Sequence, residues 1–219
     1  MIPAVRRRAN ASRVTWAGSR AALAAAALLI VAACSSSGGA TPPPTTAGAA
    51  ACPTAQPDPL PAGETRTVTI ETDQGPIAIT IEADLSPIAA GNFVALAGCG
   101  YYDGVVFHRV VPTFVIQGGD PTGTGTGGPG YEIQDEPVTA TYSRGTVAMA
   151  RTSMPNSVGS QFFIVLSDEA RPALASANTY QIIGTVSSGM DAVDAIAAAA
   201  DAEMPSNPVV MTKVTVSNP

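Results

Sequence analysis

From residue 65 to residue 82 apolar and polar side chains alternate, with Val68 and Ile70 in a first run, Ile77, Ile79 and Ile81 in a second, and Asp73-Gln74-Gly75-Pro76 between them. A period of two, broken by a polar Gly-Pro segment, predicts a β-hairpin. Ser86-Pro87 then stands where a helix N-cap and first residue belong, and Gly98 and Gly100 stand where a helix stops, so residues 87–97 are predicted helical. Phe93 and Leu96, three apart, share one face of that helix and are assigned to the core. Short apolar runs at 105–110, 114–117, 146–150, 161–166, 180–186 and 209–216 predict further strands, and an alanine-rich stretch after Gly189 predicts a second helix over 190–200. Eight strands with two helices make a mainly β domain, either a closed antiparallel β-barrel or a sandwich. Closure would hide strand edges that otherwise invite aggregation.

Upstream of the domain the pattern changes. Arg6, Arg7, Arg8, Arg13 and Arg20 precede an uncharged apolar run from Ala21 to Ala33 that ends at Cys34. The run is shorter than the roughly 20 residues of a membrane-spanning helix, and residues 1–33 have the layout of a signal peptide. Val31-Ala32-Ala33-Cys34 resembles a bacterial lipobox. That implies acylation of Cys34 and an extracytoplasmic protein anchored to the cell membrane by lipid; the other reading is an ordinary cleaved signal with an incidental cysteine. The arginines at 6–8 raise a Tat-type export route. Residues 34–63, rich in Ser, Gly, Pro and Thr, read as a tether, which leaves 64–219 as one domain.

Cleavage after residue 33 removes five of the eleven basic residues and none of the 17 acidic ones, taking the net charge to −11. A domain so acidic repels phosphate backbones, and nucleic-acid binding is excluded. Cys52 and Cys99 would meet an oxidising environment, where a bridge would staple the end of the tether to the domain; two separate thiols are the alternative.

The candidate chemistry begins with Arg109, a charge inside the apolar stretch Phe107-His108-Arg109-Val110-Val111-Pro112-Thr113-Phe114-Val115-Ile116-Gln117-Gly118-Gly119-Asp120. Strand periodicity alone allows it simply to project outward. Two more segments change the balance: the glycine-rich Gly123-Thr124-Gly125-Thr126-Gly127-Gly128-Pro129-Gly130, and Gly159-Ser160-Gln161-Phe162-Phe163-Ile164. The ordered set FHRVVPTFVIQGGDPTGTGTGGPG, VAMAR and NSVGSQFF closely resembles the cyclophilin family of peptidyl-prolyl cis/trans isomerases across residues 64–219.

That resemblance implies a closed eight-stranded antiparallel barrel capped by two helices, with a groove on the outside of one face. It implies Arg109 as the catalytic guanidinium, with Phe114, Val115 and Phe163 lining a proline pocket. Gln117, Ala150 and Gln161 would hold the substrate backbone, and Gly125 would border the neighbouring pocket. It also implies proline-containing polypeptides as substrates, no cofactor and no metal; the protein is expected to be a monomer. Three positions depart from the better-known eukaryotic members: Arg151 stands for an asparagine, Tyr180 for a histidine, and the segment 168–174 lacks the usual aromatic residue beside its pocket leucine, for which Leu174 is the candidate. Weak sensitivity to cyclosporin is expected from these changes. A proline-segment binding module without significant turnover is the competing reading, and a purely structural lipoprotein the third.

Other chemistries fit poorly. His108, the only histidine, neighbours Arg109 and so points to the opposite face of its strand, and a lone histidine with scattered carboxylates makes no usual metal set. Gly125, Gly127 and Gly130 match a dinucleotide fingerprint in spacing, but Pro129 interrupts it and no helix follows. The segment is read as a flexible loop. No G-x-S-x-G is present for a serine hydrolase.

Overall fold

A computed structural model describes residues 51–218; the expected signal peptide, Cys34 and the first part of the expected tether lie outside the described residues. The predicted hairpin is present as β1 (Thr65–Glu71) and β2 (Ile77–Glu82), in register Val68 opposite Ile79 and Ile70 opposite Ile77. The alternation does what a period of two requires, burying Val68, Ile70, Ile77, Ile79 and Ile81 completely. Beyond α1 (Pro87–Gly98) come β3 (Arg109–Val111), β4 (Val115–Gly118), β5 (Thr146–Met149), β6 (Phe162–Val165), α2 (Arg171–Ala177), β7 (Ile182–Ser188), α3 (Met190–Ala199) and β8 (Lys213–Ser217).

The eight strands form one antiparallel sheet in the order β3-β4-β6-β5-β7-β2-β1-β8. Its two end strands, β3 and β8, do not pair directly. The sheet curls until the chain before β3 meets the chain before β8, where Val106 bridges Val210. Gly104 N–H donates to the Met211 carbonyl (2.8 Å), Met211 N–H to Val105 (2.8 Å) and Phe107 N–H to Val209 (2.9 Å), closing the seam. The predicted strands at 105–110 and 209–216 are therefore shorter than expected, because part of each serves in this irregular seam. Pro208 cannot donate to a ladder there.

Three helices, not two, occur among the described residues. The extra one, α2, begins Arg171-Pro172 after a 3-10 turn at Asp168–Ala170, and its seven residues give too little periodicity to be read from the sequence. In α1, Ser86 occupies the N-cap position but its hydroxyl donates to the Leu85 carbonyl instead of capping. The cap comes from Glu136, 48 residues away, whose carboxylate accepts from Ile88 N–H and Ala89 N–H at 2.9 Å each. A carboxylate at a helix N-terminus also complements the helix dipole.

The segment grouped with the tether down to residue 63 is in fact packed on the domain from Cys52 onward. Cys52 and Cys99 form a disulfide, with Cα atoms 5.1 Å apart. Leu60 is buried, its N–H donates to the Pro87 carbonyl (2.9 Å), and Gln56 Oε1 accepts from Gln134 N–H (2.8 Å). Proline-rich composition concealed an extended strap that uses backbone and one leucine for attachment. Inside the barrel, Phe162 meets Phe93 and Tyr102 edge-on at centroid distances of 5.1 and 5.7 Å. As predicted, Phe93 and Leu96 are fully buried.

Candidate active site

All four residues of β6 are buried, which means both faces of this strand are covered. Phe162 and Ile164 face the main core; Phe163 and Val165 belong to a second apolar cluster on the outside of the sheet, with Val115, Ala148, Leu174 and Ile182. Phe114, Ala150 and Tyr180 pack against that second cluster and remain partly exposed. Helix α2, missed in the sequence, delivers Leu174. Phe163 and Tyr180 meet edge to face, centroids 5.4 Å apart at 86°, and Tyr180 is held from behind by Tyr142, whose hydroxyl donates to the Tyr180 carbonyl (2.9 Å). Burial pushes the Tyr142 hydroxyl pKa up to about 12, so it stays a donor.

Register decides what stands beside this apolar floor. Directly paired residues on neighbouring strands share a face, and Arg109 pairs with Gln117, Gln117 with Phe163, and Phe163 with Ala148. Arg109, Gln117 and Phe163 thus form a row across β3, β4 and β6 on the outer face. His108 lies on the other side of the chain, as predicted, and is buried. Neither of its ring nitrogens has a hydrogen-bond partner among the described residues. Burial lowers its pKa, the Arg109 charge adds to this, and Asp120 opposes it.

The polar row is wired. Arg109 Nη1 lies 3.4 Å from Gln117 Oε1, Gln117 Nε2 donates to Gln161 Oε1 (2.9 Å), and Gln161 Nε2 donates to the carbonyls of Gly125 (3.0 Å) and Gly127 (2.9 Å). Gln117, Gln161, Gly125 and Gly127 line a groove of about 750 Å³ whose walls also include Ala150 and Arg151, and Arg109 reaches it through Gln117. The backbone around Gln161 is fixed by Ala150 N–H to the Gln161 carbonyl (2.8 Å) and by buried Asn92, which donates to the Gly159 carbonyl (2.8 Å).

The glycine-rich loop is wrapped around one carboxylate and is not the loosely held segment its composition suggests. Asp120 accepts from the backbone N–H groups of Thr122 (2.7 Å), Thr124 (3.1 Å), Gly125 (2.6 Å) and Gly127 (3.0 Å), and from the Thr122 hydroxyl (2.8 Å). Burial alone would raise the pKa of this carboxyl, but those donors, Gly127 and Thr122 foremost, hold it well below the usual carboxylate range. A side chain at position 127 would put Cβ 2.0 Å from Asp120 Oδ1, so only glycine fits. At Gly119, where φ is +89°, a Cβ would meet the Ser160 carbonyl at 2.5 Å. The "GGD" of the motif is the geometry of this junction.

Arg151 lines the groove but its guanidinium is already engaged. It pairs with Asp135 (3.0 Å) and donates to the Met154 carbonyl (2.6 Å), leaving only 9% of the side chain exposed. The arginine that stands for the family's asparagine is thus held by local partners. Sequence reasoning also missed Glu203, whose Oε1 accepts from Arg109 Nε at 2.7 Å. It lies 94 residues from Arg109 in a polar loop, and nothing local marks it.

A family model for cyclophilin-type peptidyl-prolyl cis-trans isomerases matches residues 67–216. The chain belongs to this family. A peptidyl-prolyl cis-trans isomerase of Arabidopsis thaliana is 41% identical over 138 residues, covering 61% of this chain and 81% of the relative. A probable isomerase of Brucella abortus is 38% identical over 173 residues, covering 71% and 84%. The crystal structure of a Cryptosporidium parvum cyclophilin superposes with a TM-score of 0.63 at 32% identity, covering 71% of this chain and 99% of that one. A second crystal structure of that protein, in the presence of the dipeptide Ala-Pro, gives 0.62 at 32% identity, covering 70% and 99%. The chain is a peptidyl-prolyl cis-trans isomerase, and the outer groove, with Arg109 beside its lining residue Gln117, is the candidate active site of this cyclophilin.

Proposed function

We propose that this cyclophilin isomerises prolyl bonds in exported polypeptides outside the cytoplasm, held to the cell membrane by acylated Cys34, and that Arg109 supplies the catalytic guanidinium. The observation that carries the mechanism is the row of Arg109, Gln117 and Phe163 across three adjacent strands, beside an outer apolar cluster and the amides of Gln117 and Gln161.

The chemistry follows from the amide. Rotation about a peptide C–N bond meets a barrier of about 18–20 kcal/mol because nitrogen shares its lone pair with the carbonyl. Proline makes the cis form accessible but leaves interconversion slow. As the bond twists, the lone pair localises on nitrogen, and a guanidinium N–H donating to it stabilises the twisted state more than either planar one. Phe114, Val115, Phe163, Leu174 and Tyr180 would grip the ring; Gln117 and Gln161 would hold the flanking backbone while the other side turns. An Ala-Pro dipeptide, the additive in the solved relative, is the smallest ligand of the chemistry expected here. The reaction moves no proton, so His108 is not called upon.

The cellular half of the proposal is tested by labelling cells with a clickable fatty acid. The full-length chain should incorporate the label and fractionate with membranes, and Cys34→Ala should do neither. Equal labelling of the two would remove the anchor from the account. Measurable affinity of the purified protein for proline peptides without rate enhancement would favour the binding-module reading.

A further inference from the structure

Arg109 sits on β3, a three-residue strand at the end of the sheet, with a third of its side chain exposed (33%). An arginine side chain carries about 2 kcal/mol of rotamer freedom, and its contact to Gln117 is long at 3.4 Å. The short bond is the one to Glu203, at 2.7 Å. It falls on Nε, while the terminal nitrogen Nη1 is the one that faces Gln117.

Glu203 is itself held in place. Its carbonyl accepts from Val110 N–H (2.8 Å), the residue after Arg109, so the loop docks on the open edge of β3. The loop is closed by Asp201, whose carboxylate accepts from Ser206 N–H (3.0 Å) and from the Ser206 hydroxyl. A loop pinned at its backbone to the neighbour of the catalytic arginine, and aimed by its side chain at that arginine's Nε, is placed to orient it. At 60% exposure the carboxylate contributes little to folding as a surface ion pair.

We infer that Glu203 is a positioning residue, holding the Arg109 guanidinium by its Nε so that the terminal nitrogens face the prolyl bond. This rests on the guanidinium reading above, and the test keeps the two apart. Prolyl isomerisation by the full chain is measured for wild type, Glu203→Ala, Glu203→Gln, Arg109→Ala and the double variant Arg109→Ala/Glu203→Ala. The Arg109 Nε–H resonance is followed by NMR in the wild type and the two single Glu203 variants.

Glu203→Ala should lower kcat about fivefold with KM changed less than twofold, equivalent to about 1 kcal/mol of transition-state stabilisation. Glu203→Gln, which keeps an acceptor, should lose about half as much. In the Arg109→Ala background the Glu203 change should cost nothing further. The Nε–H signal should move or broaden in Glu203→Ala and be largely recovered in Glu203→Gln. The inference is overturned if Glu203→Ala turns over as fast as wild type, if its effect persists undiminished without Arg109, or if the Nε–H signal is indifferent to it. Equal rates for wild type and Arg109→Ala would instead sink the guanidinium reading, and the positioning role with it.

Discussion

Replacing Asp120 by asparagine changes one atom and should nevertheless damage both the loop and the groove. The carboxylate serves two sets of donors: Oδ1 takes Thr122 N–H and the Thr122 hydroxyl, while Oδ2 takes Thr124, Gly125 and Gly127 N–H. An asparagine can keep its oxygen on one set only, and its NH₂ then faces donors on the other. With the oxygen on the three-donor side, the Thr122 hydroxyl can rotate to accept but Thr122 N–H is left unpaired, a cost of about 1–3 kcal/mol. The retained bonds also fall from charge-assisted to neutral, a loss of several tenths to about 1 kcal/mol each. Together the cost is about 3–5 kcal/mol, or on the order of 10 °C in Tm for a domain of this size.

Thermal unfolding followed by circular dichroism at neutral pH measures this directly. Acid gives a second check. Because the folded pKa is depressed, the stability Asp120 contributes is complete above the unfolded value of 3.8 and is lost as pH falls below it toward the folded pKa. Asp120→Asn should remove that part of the acid sensitivity. A variant within 1 kcal/mol of wild type, with an unchanged acid profile, would refute the reasoning.

The remaining predictions concern other parts of the molecule. His108 is buried with a lowered pKa, so the unfolded chain takes up its proton first and wild-type stability should fall as pH drops below 6.5; His108→Leu should flatten that slope in urea titrations, and an identical slope would contradict it. The Cys52–Cys99 bridge closes a loop with a separation of 47 residues, worth about 4 kcal/mol by chain entropy. Reduction, or Cys52→Ser with Cys99→Ser, should lower Tm accordingly, and no change would place the strap's attachment elsewhere. Cyclosporin should bind weakly, since Leu174 is flanked in sequence by Ala173 and Ala175 with no aromatic residue beside it, and Tyr180 stands where better-known members carry a histidine. A Kd in the nanomolar range by calorimetry would contradict that.

How much of this was readable beforehand depended on the range of the signal. The hairpin, α1 and α3 announce themselves through local periodicity and Gly or Pro punctuation, and their boundaries agree with expectation within a residue or two. Part of the outer apolar cluster was legible as well, because motif order named Val115 and Phe163, and sheet register sets both on one face with Gln117. What escaped were partners separated by dozens of residues. Glu136 caps α1 in place of Ser86, Asp135 takes the Arg151 guanidinium, and Glu203 meets Arg109. A carboxylate in a loop carries no local mark of what it will pair with. The strap at 52–61 was concealed by composition, since proline-rich sequence looks the same whether it hangs free or is fastened by backbone bonds.

The central claim is that a guanidinium at position 109 does the chemistry, and one measurement addresses it most directly. Cis-to-trans isomerisation of an Ala-Pro-containing peptide is followed for the wild type, Arg109→Lys and Arg109→Ala, each checked for an unchanged fold by circular dichroism. Removing a donor aimed at developing charge typically costs about a hundredfold or more in kcat, so kcat/KM for Arg109→Ala should fall by about that factor. Arg109→Lys, which keeps the charge but loses the planar fork, should lie between the two. Rates for Arg109→Ala within about threefold of wild type, a difference under about 1 kcal/mol in the barrier, would contradict the account.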